Sequence, residues 1–126
     1  MWIYGGENGD VLNDVFYIDL SQVDSEILDS LAWVQVPASG TIPTGRWRHM
    51  AAMDSKNKMW IVGGDRRLGG ASDLSNEVFY LDTNKVPPEW VQVNASGYIP
   101  PIHSAAAAMD SRDRLWVMGG MLRTTD

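Results

Sequence analysis

Three Gly-Gly pairs recur along 126 residues, at Gly5-Gly6, Gly63-Gly64 and Gly119-Gly120. Each closes a short apolar run holding one tryptophan: MWIYGG, MWIVGG and LWVMGG. The pairs lie 58 and 56 residues apart (Gly5 to Gly63, Gly63 to Gly119). A period of this length marks a supersecondary unit used several times, each copy covering the apolar face of the next. Three further blocks keep step with the pairs. NDVFYIDL (Asn13 to Leu20) is matched by NEVFYLDT (Asn76 to Thr83), and WVQV (Trp33 to Val36) by WVQV (Trp90 to Val93). HMAAMDS (His49 to Ser55) is matched by AAAAMDS (Ala105 to Ser111).

Each block predicts a β-strand: short, rich in β-branched and aromatic residues, and bounded by turn residues. WVQV alternates, with Gln35 and Gln92 directed away from their apolar neighbours, as in a strand with one wetter face. MWIV is nearly all apolar, as in a strand covered on both faces. Asp54-Ser55-Lys56-Asn57 and Asp110-Ser111-Arg112-Asp113 fall between strand blocks and read as hairpin loops. Four strands joined by turns make one antiparallel sheet per repeat, and the fold class is all-β. Such a sheet has two apolar faces, which stacked copies cover.

The connections carry the variation. Gly6 to Val15 is 9 positions and Gly64 to Val78 is 14, while Asp19 to Trp33 is 14 and Asp82 to Trp90 is 8. Constant strands with variable loops divide a scaffold from a binding surface. The loop Ser21 to Ser30 has room for a short helical turn. The loop Asp65 to Ser75, with a Gly pair of its own, reads as irregular.

A Gly-Gly pair closing an apolar strand, then Tyr-x-Asp, then a lone Trp, resembles the kelch repeat. Pro43-Thr44-Gly45-Arg46-Trp47-Arg48-His49 resembles the Pro-x-x-Arg-x-x-His lead into the next blade's first strand. The resemblance covers nearly the whole chain. It implies a kelch-type β-propeller of four-stranded antiparallel blades, here an incomplete ring. Residues 1–126 form one kelch-repeat region, with a partial blade in 1–36, a complete blade in 43–93 and a second partial blade in 99–120. Two and a half blades fall short of the roughly four or more that close a propeller. The chain is therefore expected to be a piece of a longer protein, or to complete a ring with other chains. The third repeat departs from the pattern: Ile99-Pro100-Pro101-Ile102-His103-Ser104 carries no arginine.

Composition narrows the function. Six tryptophans and twelve glycines suit many short strands. A net charge of −6 disfavours nucleic acid and anionic membranes as partners. The absence of cysteine excludes disulfides, thiolate metal sites and cysteine nucleophiles within the chain, and an intracellular home fits. Galactose oxidase, which some kelch-fold proteins resemble, uses copper and a Tyr joined to a Cys, so that chemistry cannot be complete here. No apolar run approaches the roughly 20 residues of a membrane span. No signal peptide is expected from MWIYGG, and without one the sequon Asn94-Ala95-Ser96 means little.

The Gly pairs lack the following Lys-Ser or Lys-Thr and the helix of a phosphate loop, so they read as backbone turns or close approaches. Trp33 and Trp90, with Trp2, Trp60 and Trp116, are expected to pack between blades. Asp19 and Asp82 are expected to accept backbone hydrogen bonds in the turns that follow them. His49 and His103 are the only histidines, lie out of register, and are not expected to bind metal. No cofactor is expected. The expected role is a protein–protein interaction scaffold rather than an enzyme. The alternatives are a structural subunit of a large multiprotein complex, or the non-catalytic kelch region of an enzyme whose catalytic domain is elsewhere. Candidate partner contacts are Glu7 and Asp10 in the loop Glu7 to Asn13, and Asp65, Arg66 and Arg67 in the loop Asp65 to Ser75. Arg46, Trp47 and Arg48 could form a cationic cluster for an acidic partner. Alternatively, Arg46 ties backbone carbonyls while Trp47 and Arg48 decorate the rim.

Overall fold

The computed structural model describes residues 1–21 and 31–122, so the segment considered for a helical turn lies, past Ser21, outside the described residues. No α-helix occurs among the described residues; a single 3-10 turn spans Leu68–Gly70. The first sheet is β1 (Trp2–Glu7), β2 (Val11–Ile18) and β3 (Trp33–Gln35), in that order. The second is an antiparallel meander of β5 (Met50–Met53), β6 (Lys58–Val62), β7 (Val78–Asp82) and β8 (Glu89–Val93). A short β4 (Ser39–Gly40) pairs in parallel along the far edge of β8. The third pairs β9 (Ala106–Met109) with β10 (Leu115–Met118).

The repeat in sequence is a repeat in register. Trp2 stands opposite Tyr17 and Trp60 opposite Tyr80, with ring centroids 5.0 and 5.1 Å apart. Cross-strand aromatic pairs of this kind lock two strands together.

Two details depart from expectation. The strands of the first hairpin run further than their composition suggests: Gly6 pairs with Leu12 and Glu7 with Val11. The loop expected from Glu7 to Asn13 shrinks to Asn8-Gly9-Asp10, because a bulge at Gly5 (φ 62) lets pairing resume beyond the Gly pair. The edge strand β4 was also not anticipated. It covers the unpaired rim of β8, an edge otherwise open to association.

Two apolar layers hold the sheets face to face. Tyr4 and Val15 of the first sheet meet Met59, Ile61, Phe79, Leu81 and Trp90 of the second. The opposite side of the second sheet, with Met50 and Val62, meets Ile102, Ala107, Leu115 and Val117. Residues on neighbouring strands share a side by pairing, Met59–Leu81–Trp90 in one row and Ile61–Phe79–Gln92 in the next. Gln92 therefore lies on the same side as Trp90, and that side is wet only at one end, where Gln92 is exposed. Within the described residues the repeated tryptophans differ in cover. Trp90 is 1% exposed beneath the Tyr4 ring at 4.9 Å, but its equivalent Trp33 is 47% exposed and Trp116 is 59% exposed. The difference lies in the cover: no described element lies over Trp33 or Trp116.

Candidate interaction surface

Successive antiparallel strands put alternate connections at opposite ends of each sheet. The β1–β2 turn, the segment before β5 and the long β6–β7 connection gather at one end. The β5–β6, β7–β8 and β9–β10 turns lie at the other.

At the first end the Gly pairs mark where one sheet hands over to the next. The Gly6 N–H donates to Arg46 O (2.9 Å), and the Gly64 N–H to Ile102 O (2.8 Å). A Cβ on Gly5 would sit 2.7 Å from Arg46 O, so the backbones approach too closely for any side chain there. These bonds make Ile102 the third-repeat counterpart of Arg46. Where Arg46 spreads polar contacts, Ile102 joins the apolar layer.

Arg46 is fully buried. Its Nε donates to Thr44 O (3.1 Å), Nη1 to Gly63 O (3.0 Å) and Ser75 Oγ (3.4 Å), and Nη2 to Glu77 Oε2 (2.9 Å). The candidate contact Arg46 is thus no part of the surface, because its guanidinium is enclosed between adjacent sheets. Glu77 also takes Arg66 Nη1 (3.3 Å) and the Ser75 hydroxyl (3.0 Å). Burial would raise the Glu77 carboxyl, but the hydrogen bonds from Arg46 and Ser75 and the two guanidinium charges hold it below its ordinary value. Arg66 is further tied by Nε to Asp73 Oδ2 (2.7 Å), the two residues spanning the neck of the β6–β7 connection.

Asp65 is buried and organises that connection. Its Oδ1 accepts from the Arg67 and Asp73 N–H groups, both at 2.8 Å. Its backbone bridges Trp47 on one side and Leu74 on the other. Burial pushes the Asp65 carboxyl up, but these hydrogen bonds outweigh it and leave the group below its ordinary value.

Four of the candidate residues come together on the surface. The Arg48 guanidinium lies over the Trp47 ring at 3.8 Å and that of Arg67 at 4.5 Å. Arg67 Nη1 donates to Glu7 Oε1 (2.9 Å), joining the β6–β7 connection to the end of β1, 60 residues away in the neighbouring sheet. Arg48 is exposed and holds φ 55, a backbone state its counterpart Ser104 shares at φ 57. Asp10 sits exposed in the tight β1–β2 turn, where the Asn8 N–H donates to its carbonyl (3.1 Å).

Beneath this patch the Tyr4 hydroxyl donates to Pro43 O (3.2 Å) and Thr44 O (3.1 Å). Burial pushes its phenol up to about 12, with Arg46 opposing. His49 packs edge-on against Tyr4 at 5.3 Å. Burial, reinforced by the Arg46 charge, pushes its imidazole down to about 4. No group of three or more His, Cys, Asp or Glu is placed to hold a metal among the described residues. Nor is any described helix long and apolar enough to cross a membrane.

Asp19 Oδ1 accepts from the Ser21 N–H (2.8 Å), and Asp82 Oδ1 from the Asn84 N–H (3.0 Å). Sequence reasoning missed a second repeated device at the far end. Asp54 Oδ1 accepts from the Lys56 and Lys58 N–H groups and Oδ2 from Trp60 Nε1 (2.8 Å). Asp110 does the same for Arg112, Arg114 and Trp116 Nε1 (2.9 Å). The signal was available: in both repeats the Asp of MDS precedes the Trp by six positions. Glu77 and Ser75 were missed because nothing in their spacing announces a partner 31 or 29 residues away.

One meandering four-stranded antiparallel sheet, flanked by a three-stranded and a two-stranded sheet that repeat parts of it and meet it at Gly-Gly handovers, defines a segment of kelch-type β-propeller. The family model of the KLHDC2/KLHL20/DRC7 kelch-repeats domain matches residues 1–125, and the chain belongs to the kelch-repeat family. Adagio protein 3 of Arabidopsis thaliana is 34% identical over 94% of this chain and 18% of that protein. Adagio-like protein 1 of Oryza sativa subsp. japonica is 32% identical over 79% of the chain and 14% of that protein. Dynein regulatory complex subunit 7 of Chlamydomonas reinhardtii is 25% identical over 94% of the chain and 9% of that protein. The chain thus spans less than a fifth of the length of these relatives. Kelch-repeat domains are in general non-catalytic modules that mediate protein interactions.

Proposed function

We propose that this chain is a non-catalytic protein-interaction segment of a kelch propeller, working within a larger protein or assembly. Its repeat units we assign to residues 1–36, 43–93 and 99–120. The contact surface is the end that bears the β6–β7 connection, and its partner presents acidic side chains. One observation carries this reading: Arg48 and Arg67 both lie over Trp47, giving a cationic, rigid, partly apolar patch on a chain whose net charge is −6. Stacked arginine on an aromatic platform is well suited to carboxylates; Arg67 already pairs with Glu7, and the exposed Arg48 offers its guanidinium edge to a partner's carboxylate. Arg66 and Asp65 serve the patch indirectly, by fixing the connection that delivers Arg67.

The test is site-specific photo-crosslinking in the full-length protein. A crosslinker at Leu68, exposed in the β6–β7 connection, should capture the physiological partner. One at Val86, exposed in the β7–β8 connection at the opposite end, should not. Capture from Val86 alone would reject the assignment of this end. The acidic preference is tested apart, by titrating an oligo-glutamate peptide into wild type and Arg48→Glu/Arg67→Glu. Binding that weakens with salt and disappears in the double variant supports it; equal binding to both refutes it.

A further inference from the structure

Trp47 is a platform for two guanidinium groups, and the two are not in the same state. Arg67 pairs with Glu7 (2.9 Å), while among the described residues Arg48 forms no ion pair. The Glu7–Arg67 pair is built unlike the buried one between the same two sheets. There Arg46 is enclosed, and Glu77 is held by two further donors. Glu7 and Arg67 are each 30% exposed, and one other described hydrogen bond reaches the Glu7 carboxylate, from the Gly9 N–H (3.2 Å). Arg67 keeps its place by other means. Its N–H donates to Asp65 Oδ1 (2.8 Å), and Asp65 exchanges both backbone hydrogen bonds with Trp47 (2.9 and 3.1 Å). Platform and cation thus belong to one fixed unit, whereas Glu7 reaches in from the end of β1 in the neighbouring sheet. Exposed ion pairs are weak, so this carboxylate can be exchanged for another.

We propose that Arg67 is a second carboxylate subsite of the patch, closed in the free protein by Glu7 of this chain. The inference rests on the acidic-partner reading and adds to it how many carboxylates the partner brings. The first engages Arg48, which is open; the second takes Arg67 by displacing Glu7. The Glu7–Arg67–Trp47 arrangement displays how a carboxylate sits on a guanidinium stacked over this ring. The partner is therefore an acidic peptide segment with two carboxylates close enough to serve both guanidiniums of one indole. Glu7 sets the threshold for such a segment, because a tethered competitor acts at high effective concentration.

The experiment uses the full-length protein and a fluorescently labelled oligo-glutamate peptide, with anisotropy read at several salt concentrations. Glu7→Gln is isosteric at a part-exposed position, and circular dichroism should show it folded as wild type. It should bind the peptide about threefold to tenfold more tightly, with a steeper salt dependence, because a second pair forms without one being broken. Asp10→Asn removes the same charge from the adjoining turn without touching Arg67, and should gain less than about twofold. In an Arg67→Gln background, Glu7→Gln should gain nothing. Equal affinity of wild type and Glu7→Gln, both abolished by Arg48→Glu/Arg67→Glu, overturns the second subsite and leaves the acidic-partner reading standing. An equal gain from Asp10→Asn, or a gain that persists without Arg67, assigns the effect to net charge and overturns the subsite too. Peptide that binds neither protein, or whose binding the double reversal does not weaken, overturns both.

Discussion

Arg46 is the residue on which the junction between the first and second sheets turns. It supplies donors to two backbone carbonyls, a hydroxyl and a carboxylate from a site with no solvent access. Its removal leaves the buried Gly63 O short of a donor and takes one of three donors from Glu77. Arg46→Ala should therefore cost on the order of 3 kcal/mol in urea unfolding. Lysine should recover only part of this, lacking the planar fork. His49 should show itself in the pH dependence. Its pKa is depressed in the fold, so between its ordinary value and about 4 the unfolded chain binds a proton that the folded chain refuses. Stability should rise with pH across that window, by on the order of 3 kcal/mol in total, and level off above it. His49→Phe should flatten the slope, read as the urea midpoint against pH. That Arg46 would lie near backbone carbonyls was legible from its motif. That it would be inaccessible was not, because burial depends on the segment 63–77 folding over it.

Among the elements, the β5–β6 hairpin is held by a single carboxylate. Asp54 closes the turn through two N–H groups and reaches the Trp60 indole. Although its slight burial works the other way, these bonds keep its pKa low. Their contribution is present above the ordinary aspartate range and lost as pH falls through the folded value. Asp54→Ala should cost about 1 kcal/mol at neutral pH, with the difference from wild type shrinking in acid. The sheets offer a paired comparison between repeats. Trp90→Ala removes a buried ring and should cost about 3–5 kcal/mol. In dilute solution, Trp33→Ala at the same repeat position should cost less than about 1 kcal/mol. Equal losses in thermal or urea unfolding would mean that Trp33 is covered in solution. Strand identity was readable throughout from the blocks VFYID, WVQV and MWIV. The edge strand β4 was not, since Ser39 and Gly40 have no strand propensity and pair only because β8 offers them an open edge.

For the molecule as a whole, the charged patch at one end should be separable from stability. Reversing Arg48 and Arg67 takes the net charge from −6 to −10, two units per site. Both side chains are surface groups, so unfolding should shift by no more than about 1 kcal/mol while binding of acidic peptide is lost. A larger loss of stability would assign the stack over Trp47 a structural role instead. The sequence by itself determined the repeating unit, its strands and the order in which they follow. These depend on residue type and spacing along the chain, and the Gly-Gly period carries both. Only the tertiary structure decided which copies of a repeated residue are buried and which are open. It alone enclosed Arg46, brought Glu7, Trp47, Arg48 and Arg67 into one patch, and left Trp33 and Met118 uncovered. Identical positions acquire different roles because burial is a property of what lies opposite, and each sheet of a stack has a different neighbour.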